Sequence, residues 1–330
     1  MKVAGKAPVV VVGTIFVDLK CFPKYELNFK GRNPGVARFF HGGVGRNVAE
    51  TMALLGSHVR FSSAAQEGGL GHEVLTRLND AGVDVDGVYT TASPEANGMW
   101  VAILNREGDL ACSVSQMPNV VYLEQAWERH GERMLRGSCL TVLELDLSVK
   151  LADRVLTDAA RHGVPVVGLP GNFECVRHQP DLLPRLHTFV CNQVEAEELC
   201  GQRPISSVPA AKQAARLILA RGLKAVVVTL GPLGAVGFGQ GMDEPFFVPA
   251  QQVEVVDTTG AGDAFVAGFS HSLAAGAGLR LAVEAGTRVA AWTVSATESV
   301  CRDLRGRMDA DSWEGWGEID LARKQSSFDI

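Results

Sequence analysis

The segment Asp257-Thr258-Thr259-Gly260-Ala261-Gly262-Asp263-Ala264-Phe265 sets two glycines around an alanine where a loop runs into a helix. Small side chains there leave the N–H groups of Gly260, Ala261 and Gly262 free to face outward at the positive end of the helix, which makes a site for phosphate oxygens. Asp263 falls in the first turn, beside that anion, where a carboxylate can accept the proton of an attacking hydroxyl. The competing reading is a plain helix start, with Thr as N-cap and Asp favoured by the helix dipole. The run holds more small residues than a cap requires, and a second glycine-rich helix start lies upstream.

That upstream segment is Gly42-Gly43-Val44-Gly45-Arg46-Asn47. It lacks the third small residue of a dinucleotide fingerprint, since position 48 is Val, and it does not directly follow the first predicted strand. A Walker A sequence and the His-Arg-Asp loop of protein kinases are both absent. Two readings remain: a loop whose backbone approaches a polar ligand, with Asn47 donating and accepting hydrogen bonds, or a simple glycine-rich connection. Arg46 is either a substrate contact or an exposed helix residue. Asn192-Gln193-Val194-Glu195 follows a predicted strand and opens a helix. It reads as a capping box or as an Asn and a carboxylate placed for Mg²⁺-bound water and phosphate. Thr229-Leu230-Gly231 ends another strand, as a nucleotide-phosphate contact or an ordinary turn. The histidines show no metal-ligand spacing.

The elements that must position these residues follow from hydrophobic period. Val9 to Val12 is a β-branched run suited to a strand buried on both faces. Strands at 58–64, 139–145, 164–168, 187–191 and 224–230 alternate with helices at 48–55, 70–81, 123–135, 148–162, 193–200 and 207–221. Strands at 234–238 and 245–249 and helices at 262–275 and 279–296 follow, with Phe265, Phe269 and Leu273 as a buried stripe. This alternation predicts an α/β fold with a mostly parallel sheet between helices. Runs at 35–41 and 97–115, the latter a hairpin around Asn105–Asp109, break the pattern and predict a small antiparallel flap over the site. A tail from Asp303 carries Trp313 and Trp316 in a packed C-terminal helix.

Composition bounds the function classes. The 330 residues carry 31 Lys plus Arg against 37 Asp plus Glu, a net charge of −6, so no global attraction draws the chain to nucleic acid or an acidic membrane. Glycine, 36 of 330 residues, exceeds the usual ~7%. No apolar run approaches the roughly 18 residues of a membrane span. The lysines and apolar stretch within Met1–Val17 imitate a secretory leader, but no small-residue cleavage site follows, and the stretch reads as a first strand. Seven cysteines without C-x-x-C spacing fit reduced thiols and a cytoplasmic location.

In this order the motifs resemble the PfkB (ribokinase-like) carbohydrate kinases over residues 9 to about 300. Gly42–Asn47 looks like the first family signature and Asp257–Asp263 like the second. Asn192-x-x-Glu195 and Thr229-Leu230-Gly231 resemble the family's magnesium/phosphate and nucleotide elements. The resemblance implies a three-layer α/β/α sandwich, a single kinase domain over 1–330, with lid segments at about 14–41 and 97–116. It implies ATP- and Mg²⁺-dependent phosphorylation of a sugar or nucleoside hydroxyl, and a homodimer formed through the lid. Asp263 would be the base and Gly260, Ala261 and Gly262 the anion hole. Asp18, Phe16, Gly42, Gly43, Arg46 and Asn47 would surround the acceptor. Asn192, Glu195, Thr229 and Gly231 would serve the nucleotide, with Glu195 reaching Mg²⁺ through water. Asp257 and Thr259 match positions that supply oxygens to a monovalent cation, K⁺, in ribokinase-type members. Phe16 and Val44 stand where those members carry Asn and Lys, which removes polar sugar contacts. Asn33-Pro34-Gly35 with the first signature looks closer to pseudouridine kinases and related sugar kinases. The family's usual carboxylate near 168–169 is replaced by Gly168-Leu169. A ribokinase-, fructokinase- or 2-keto-3-deoxygluconate-type sugar kinase is the alternative. A non-catalytic regulator on the same fold and a Rossmann dehydrogenase are the other classes, disfavoured by intact Asp263 and by the misplaced glycines.

Overall fold

The computed structural model describes residues 7–145, 147–171, 174–201 and 203–326. Residues 1–6, within the predicted leader-like stretch, and the last four of the tail lie outside them. The chain order begins with strands β1 (Val9–Val12), β2 (Phe16–Pro23) and β3 (Gly35–Gly42), then helix α1 (Val44–Leu54), β4 (Val59–Gln66), α2 (Gly69–Asp80) and β5 (Asp84–Thr91). Strands β6 (Gly98–Leu104) and β7 (Leu110–Gln116) lead to α3 (Val120–Leu135), β8 (Leu140–Glu144), α4 (Val149–Arg161) and β9 (Val166–Leu169). Next come α5 (Glu174–His178), β10 (Thr188–Asn192), α6 (Gln193–Cys200), α7 (Val208–Leu219), β11 (Ala225–Thr229), β12 (Gly234–Gly239) and β13 (Phe246–Pro249). Helices α8 (Ala261–Ala274), α9 (Leu279–Val294), α10 (Leu304–Ala310) and α11 (Gly315–Ser326) complete the chain.

Nine strands form the main sheet in the order β13-β12-β11-β10-β9-β8-β1-β4-β5. Pairing is parallel from β5 to β11, and only β12 and β13 join antiparallel. The β-branched run of β1 explains its central place. Val9 and Val11 enter the core under α1, α2, α8 and α9, whereas Val10 and Val12 enter the core under α3, α4 and α7. Alternating side chains thus fill two apolar layers from one strand, as a parallel sheet covered on both faces requires.

The second sheet is the predicted flap, in the order β3-β2-β6-β7. It is mixed rather than wholly antiparallel: β2 pairs antiparallel with β3 but parallel with β6. Phe16, Asp18 and Lys20 alternate onto one face of β2, where Asp18 stands opposite Phe40 and Trp100, and Lys20 opposite Arg38. At the C-terminus the single expected helix is two, α10 and α11, and Trp316 stacks on Trp292 with ring centroids 5.7 Å apart.

Candidate active site

Helix α8 starts where the sequence places the anion hole, but its cap is Gly260 and not a threonine. Gly260 has φ +79° and makes no side-chain cap. A Cβ there would lie 2.3 Å from the Ser299 carbonyl oxygen, so a left-handed backbone and a close neighbour both demand glycine. At Gly262 the reason differs: a Cβ would meet nothing within 4 Å. The missing side chain leaves an open cradle at the positive end of a buried helix, which fits a phosphate group. Beside it lies an apolar cleft of about 450 Å³, lined by Thr229, Gly231, Pro232, Val255, Phe265 and Ala290 among others. Phe265, Phe269 and Leu273 anchor the helix as expected, the two rings stacked at 6.4 Å.

On the other side of the α8 N-terminus stand the acidic groups. Asp263 is in the first helical turn, and its Oδ2 accepts a hydrogen bond from Asn47 Nδ2 at 2.7 Å. Burial pushes its pKa up to about 6, against the lowering effect of the Asn47 bond and the Arg46 charge. Asp18 is likewise raised to about 6 by burial, with Arg46 and Lys20 pulling it down. Both carboxyls therefore remain mostly ionised at neutral pH. Gly42 explains how Asp18 fits, because a Cβ at that position would lie 2.6 Å from either Asp18 oxygen.

The first signature is the start of α1 itself and not a loop. Gly43 caps the helix with φ +97°, and Gly45 packs against Gly13, where a Cβ would come within 2.5 Å of the Gly13 Cα. This contact brings the α1 N-terminus onto the carboxyl end of β1 and sets Asn47 against Asp263. Arg46, expected to touch substrate, is instead fully buried. It donates to Glu50 Oε2 at 2.7 Å, the Gly42 carbonyl, the His41 carbonyl and Ser299 Oγ. Its guanidinium is spent on holding α1 to β3 and to the 299 loop. Val44 is half-buried and packs against the main core.

One carboxylate was missed by sequence reasoning. Glu144, at the end of β8, is 4% exposed. Its Oε2 accepts the N–H of Thr14 at 2.7 Å and of Gly45 at 3.2 Å, and Thr14 Oγ1 also donates to the carboxylate. Burial raises its pKa to about 7, the Thr14 bonds oppose that rise, and the nearby charge of Asp263 adds to it. Gly168 and Leu169 on β9 stand where the resemblance leads one to expect a carboxylate, and Glu144 lies at the end of β8, the adjacent strand. A glutamate closing a wholly buried strand, Leu140-Thr-Val-Leu-Glu144, was the available signal.

Asn192 and Glu195 form the full capping box at the start of α6. Asn192 Oδ1 accepts from the Val194 and Glu195 N–H groups, and the Glu195 oxygens accept from the Asn192 N–H and side-chain amide. Asn192 pairs in register with Thr229, which lines the apolar cleft. Among the described residues no group of three or more acidic, His or Cys side chains forms a metal cage.

An open α/β sheet with a glycine-rich helix start, a flanking carboxylate and a small covering sheet suits a small-molecule phosphotransferase. The pfkB family carbohydrate kinase pattern matches residues 6–301, and the chain belongs to that family. It is a kinase that phosphorylates an alcohol group. It is 33% identical over 291 residues to guanosine-inosine kinase from Exiguobacterium acetylicum, covering 88% of this chain and 95% of that one. It is 31% identical over 265 residues to pseudouridine kinase from Escherichia coli, covering 79% and 82% respectively. The ribokinase of Arabidopsis thaliana, solved with ribose and ATP, superposes with a TM-score of 0.77 at 23% identity, covering 91% of this chain and 98% of that one.

Proposed function

We propose that this chain is an ATP-dependent nucleoside kinase in which Asp263 accepts the proton of the acceptor hydroxyl. The observation that carries the reading is the division of the site by the α8 N-terminus. The cradle at Gly262 and the apolar cleft suit ATP on one side, and Asp263, Asn47 and Asp18 suit a hydroxylated acceptor on the other. Asp18 and Asn47, with Gly42 and Gly43 kept free of side chains, hold the acceptor, and the helix start at Gly260 to Gly262 stabilises the transferring phosphoryl charge. The Ala261 N–H, expected in the anion hole, turns back instead to the Thr258 carbonyl at 3.3 Å. Thr229 and Gly231 border the adenine side. A coupled assay of ADP formation over nucleosides and free sugars tests the reading directly.

The acceptor carries a flat, partly apolar group. Phe16 lies over Gly98, where a Cβ would be 2.5 Å from its ring, and Phe40 and Trp100 share the face that carries Asp18. Aromatic faces bind a nucleobase and give free ribose nothing to stack on. Guanosine, inosine and pseudouridine, the substrates named for two relatives, all supply such a base. A nucleoside should exceed free ribose by at least about tenfold in kcat/KM, a difference of roughly 1.4 kcal/mol. A sugar or sugar acid as best acceptor would exclude the nucleoside while leaving the kinase in place.

Magnesium would sit with the nucleotide phosphates and meet this chain through Glu195 and water, the mode by which Mg²⁺ keeps much of its hydration. When bound it neutralises phosphate charge. Glu195→Gln retains an acceptor for the Asn192 N–H, so the cap and the fold should persist while the magnesium concentration for half-maximal rate rises. An unchanged magnesium dependence would leave Glu195 with the capping role alone.

A homodimer through the small sheet is supported by β7, exposed along its whole length with Leu110 and Val114 outward. A reducing, cytoplasmic setting is supported by the free state of the six described cysteines. Among the described residues no helix is long and apolar enough to cross a membrane.

A further inference from the structure

Asp257 and Thr259 occupy the positions that the family resemblance assigns to a monovalent cation, yet their surroundings do not fit one. Asp257 Oδ1 accepts the Thr259 N–H at 2.8 Å. Its other oxygen faces the ammonium of Lys20 at 3.5 Å. Lys20 lies on β2 two residues beyond Asp18, and its ammonium also sits 5.1 Å from the centre of the Phe40 ring. The two charged side chains are only 16% and 31% exposed. A K⁺ ion on the same carboxylate would place a second positive charge a few ångströms from a held ammonium, where water screens poorly.

We propose that Lys20 supplies in covalent form the positive charge that ribokinase-type members take from a monovalent cation, so that this kinase works without K⁺. The charge is needed because of where Asp257 stands. The turn Asp257–Thr259 runs directly into Gly260 and the α8 helix start proposed above to hold the phosphate. An uncompensated carboxylate at that point repels the anion the site must bind. The ammonium cancels this repulsion and fixes the turn through the Asp257 oxygens. Burial acts to raise the Asp257 pKa, but the Thr259 hydrogen bonds and the Lys20 charge outweigh it and hold the carboxyl below its ordinary value. Lys20 is therefore a positioning residue for the anion hole.

The inference rests on the kinase reading, and two measurements separate their fates. Turnover with the best acceptor and the dissociation constant of a non-hydrolysable ATP analogue are each measured in K⁺ and in choline at constant ionic strength. Wild type should change by less than about twofold in either quantity. Lys20→Met, uncharged and of similar length, should lose about tenfold in kcat and bind the analogue more weakly in choline, with both restored in part by K⁺. Lys20→Arg keeps the charge and should stay insensitive to K⁺. Strong activation of wild type by K⁺ overturns the inference. So does a folded Lys20→Met enzyme that matches wild type in choline, or one whose loss K⁺ does not relieve. Absence of turnover with every acceptor refutes the kinase reading, and the nucleotide-binding arm then decides the cation question alone. Wild type settles it even where Lys20→Met fails to fold.

Discussion

Asp263→Asn should lower kcat by roughly 10²–10⁴, the span expected for loss of a general base. The carboxylate sits in the first turn of α8, hydrogen-bonded to Asn47 at 2.7 Å, next to the cradle at Gly262. Phosphoryl transfer leaves little covalent work to the protein, so in the role proposed for Asp263 positioning of the acceptor hydroxyl and acceptance of its proton would carry the contribution of this side chain. Asparagine keeps the size and the Asn47 contact but takes no proton. Binding of ATP should change little, because the helix start at Gly260 to Gly262 remains in place. The wild-type enzyme should also lose kcat/KM below about pH 6, as Asp263 and Asp18, both raised to about 6, take up protons. These groups share Arg46 as a neighbour, so the limb reports the site as a whole and not one residue. Turnover and nucleotide affinity measured on one preparation decide the matter. Near-normal turnover removes Asp263 as base, and loss of folding makes its place in the helix start the dominant role.

The strongly periodic parts of the fold were legible in the sequence. The parallel sheet followed from β-branched runs such as Val9–Val12, and α8 followed from the Phe265, Phe269, Leu273 stripe. Two strands were not. β5 is the edge of the main sheet, with a polar sequence, Asp84-Val-Asp-Gly-Val-Tyr-Thr-Thr, and a register shift against β4. Its pairing comes from the sheet and not from its own pattern. β2 mixes apolar and charged residues because it is half-buried through most of its length, so neither face shows clean alternation.

The site divides in the same way. Gly260, Gly262 and Asp263 follow one another in a single helix start, and their place at the α8 N-terminus could be read from spacing alone. Residues that act across the fold could not be placed in this way. Glu144 meets Thr14 across 130 positions of sequence, and nothing local to either marks the pair. Arg46 looked like a ligand contact because it sits inside a signature. Glu50, four residues on, was a sign of its real partner, but the carbonyls of His41 and Gly42 that complete its burial belong to the end of β3. The Lys20–Asp257 pair joins residues 237 positions apart and shows only once the small sheet is folded onto the main one.

Glu144→Gln should raise thermal stability at alkaline pH and leave it little changed at acid pH. In the folded chain burial raises the Glu144 pKa from 4.5 to about 7. Between those values the folded state binds more protons at this position than the unfolded state, so stability falls as pH rises. The contribution of the neutral acid is complete below about pH 4.5 and is lost as pH passes about 7. A shift of this size corresponds to at most about 3 kcal/mol, a Tm difference of several degrees. Glutamine stays neutral at every pH, and its carbonyl oxygen can still accept the Thr14 and Gly45 N–H groups. The variant should therefore lack this loss, and its Tm advantage over wild type should grow between about pH 5 and pH 8. Asp18 and Asp263 contribute the same sign of pH dependence to both proteins, so the difference between the two curves isolates Glu144. Glu144, raised to about 7, is still mostly protonated where Asp263 titrates near 6, so the acid limb of kcat/KM should stay in place in the variant. Thermal melts across the pH range, read beside the rate profile, test both consequences. A Tm difference that stays flat from pH 5 to pH 8 would mean that Glu144 ionises as an ordinary surface acid and that its bonds to Thr14 and Gly45 fully offset its burial.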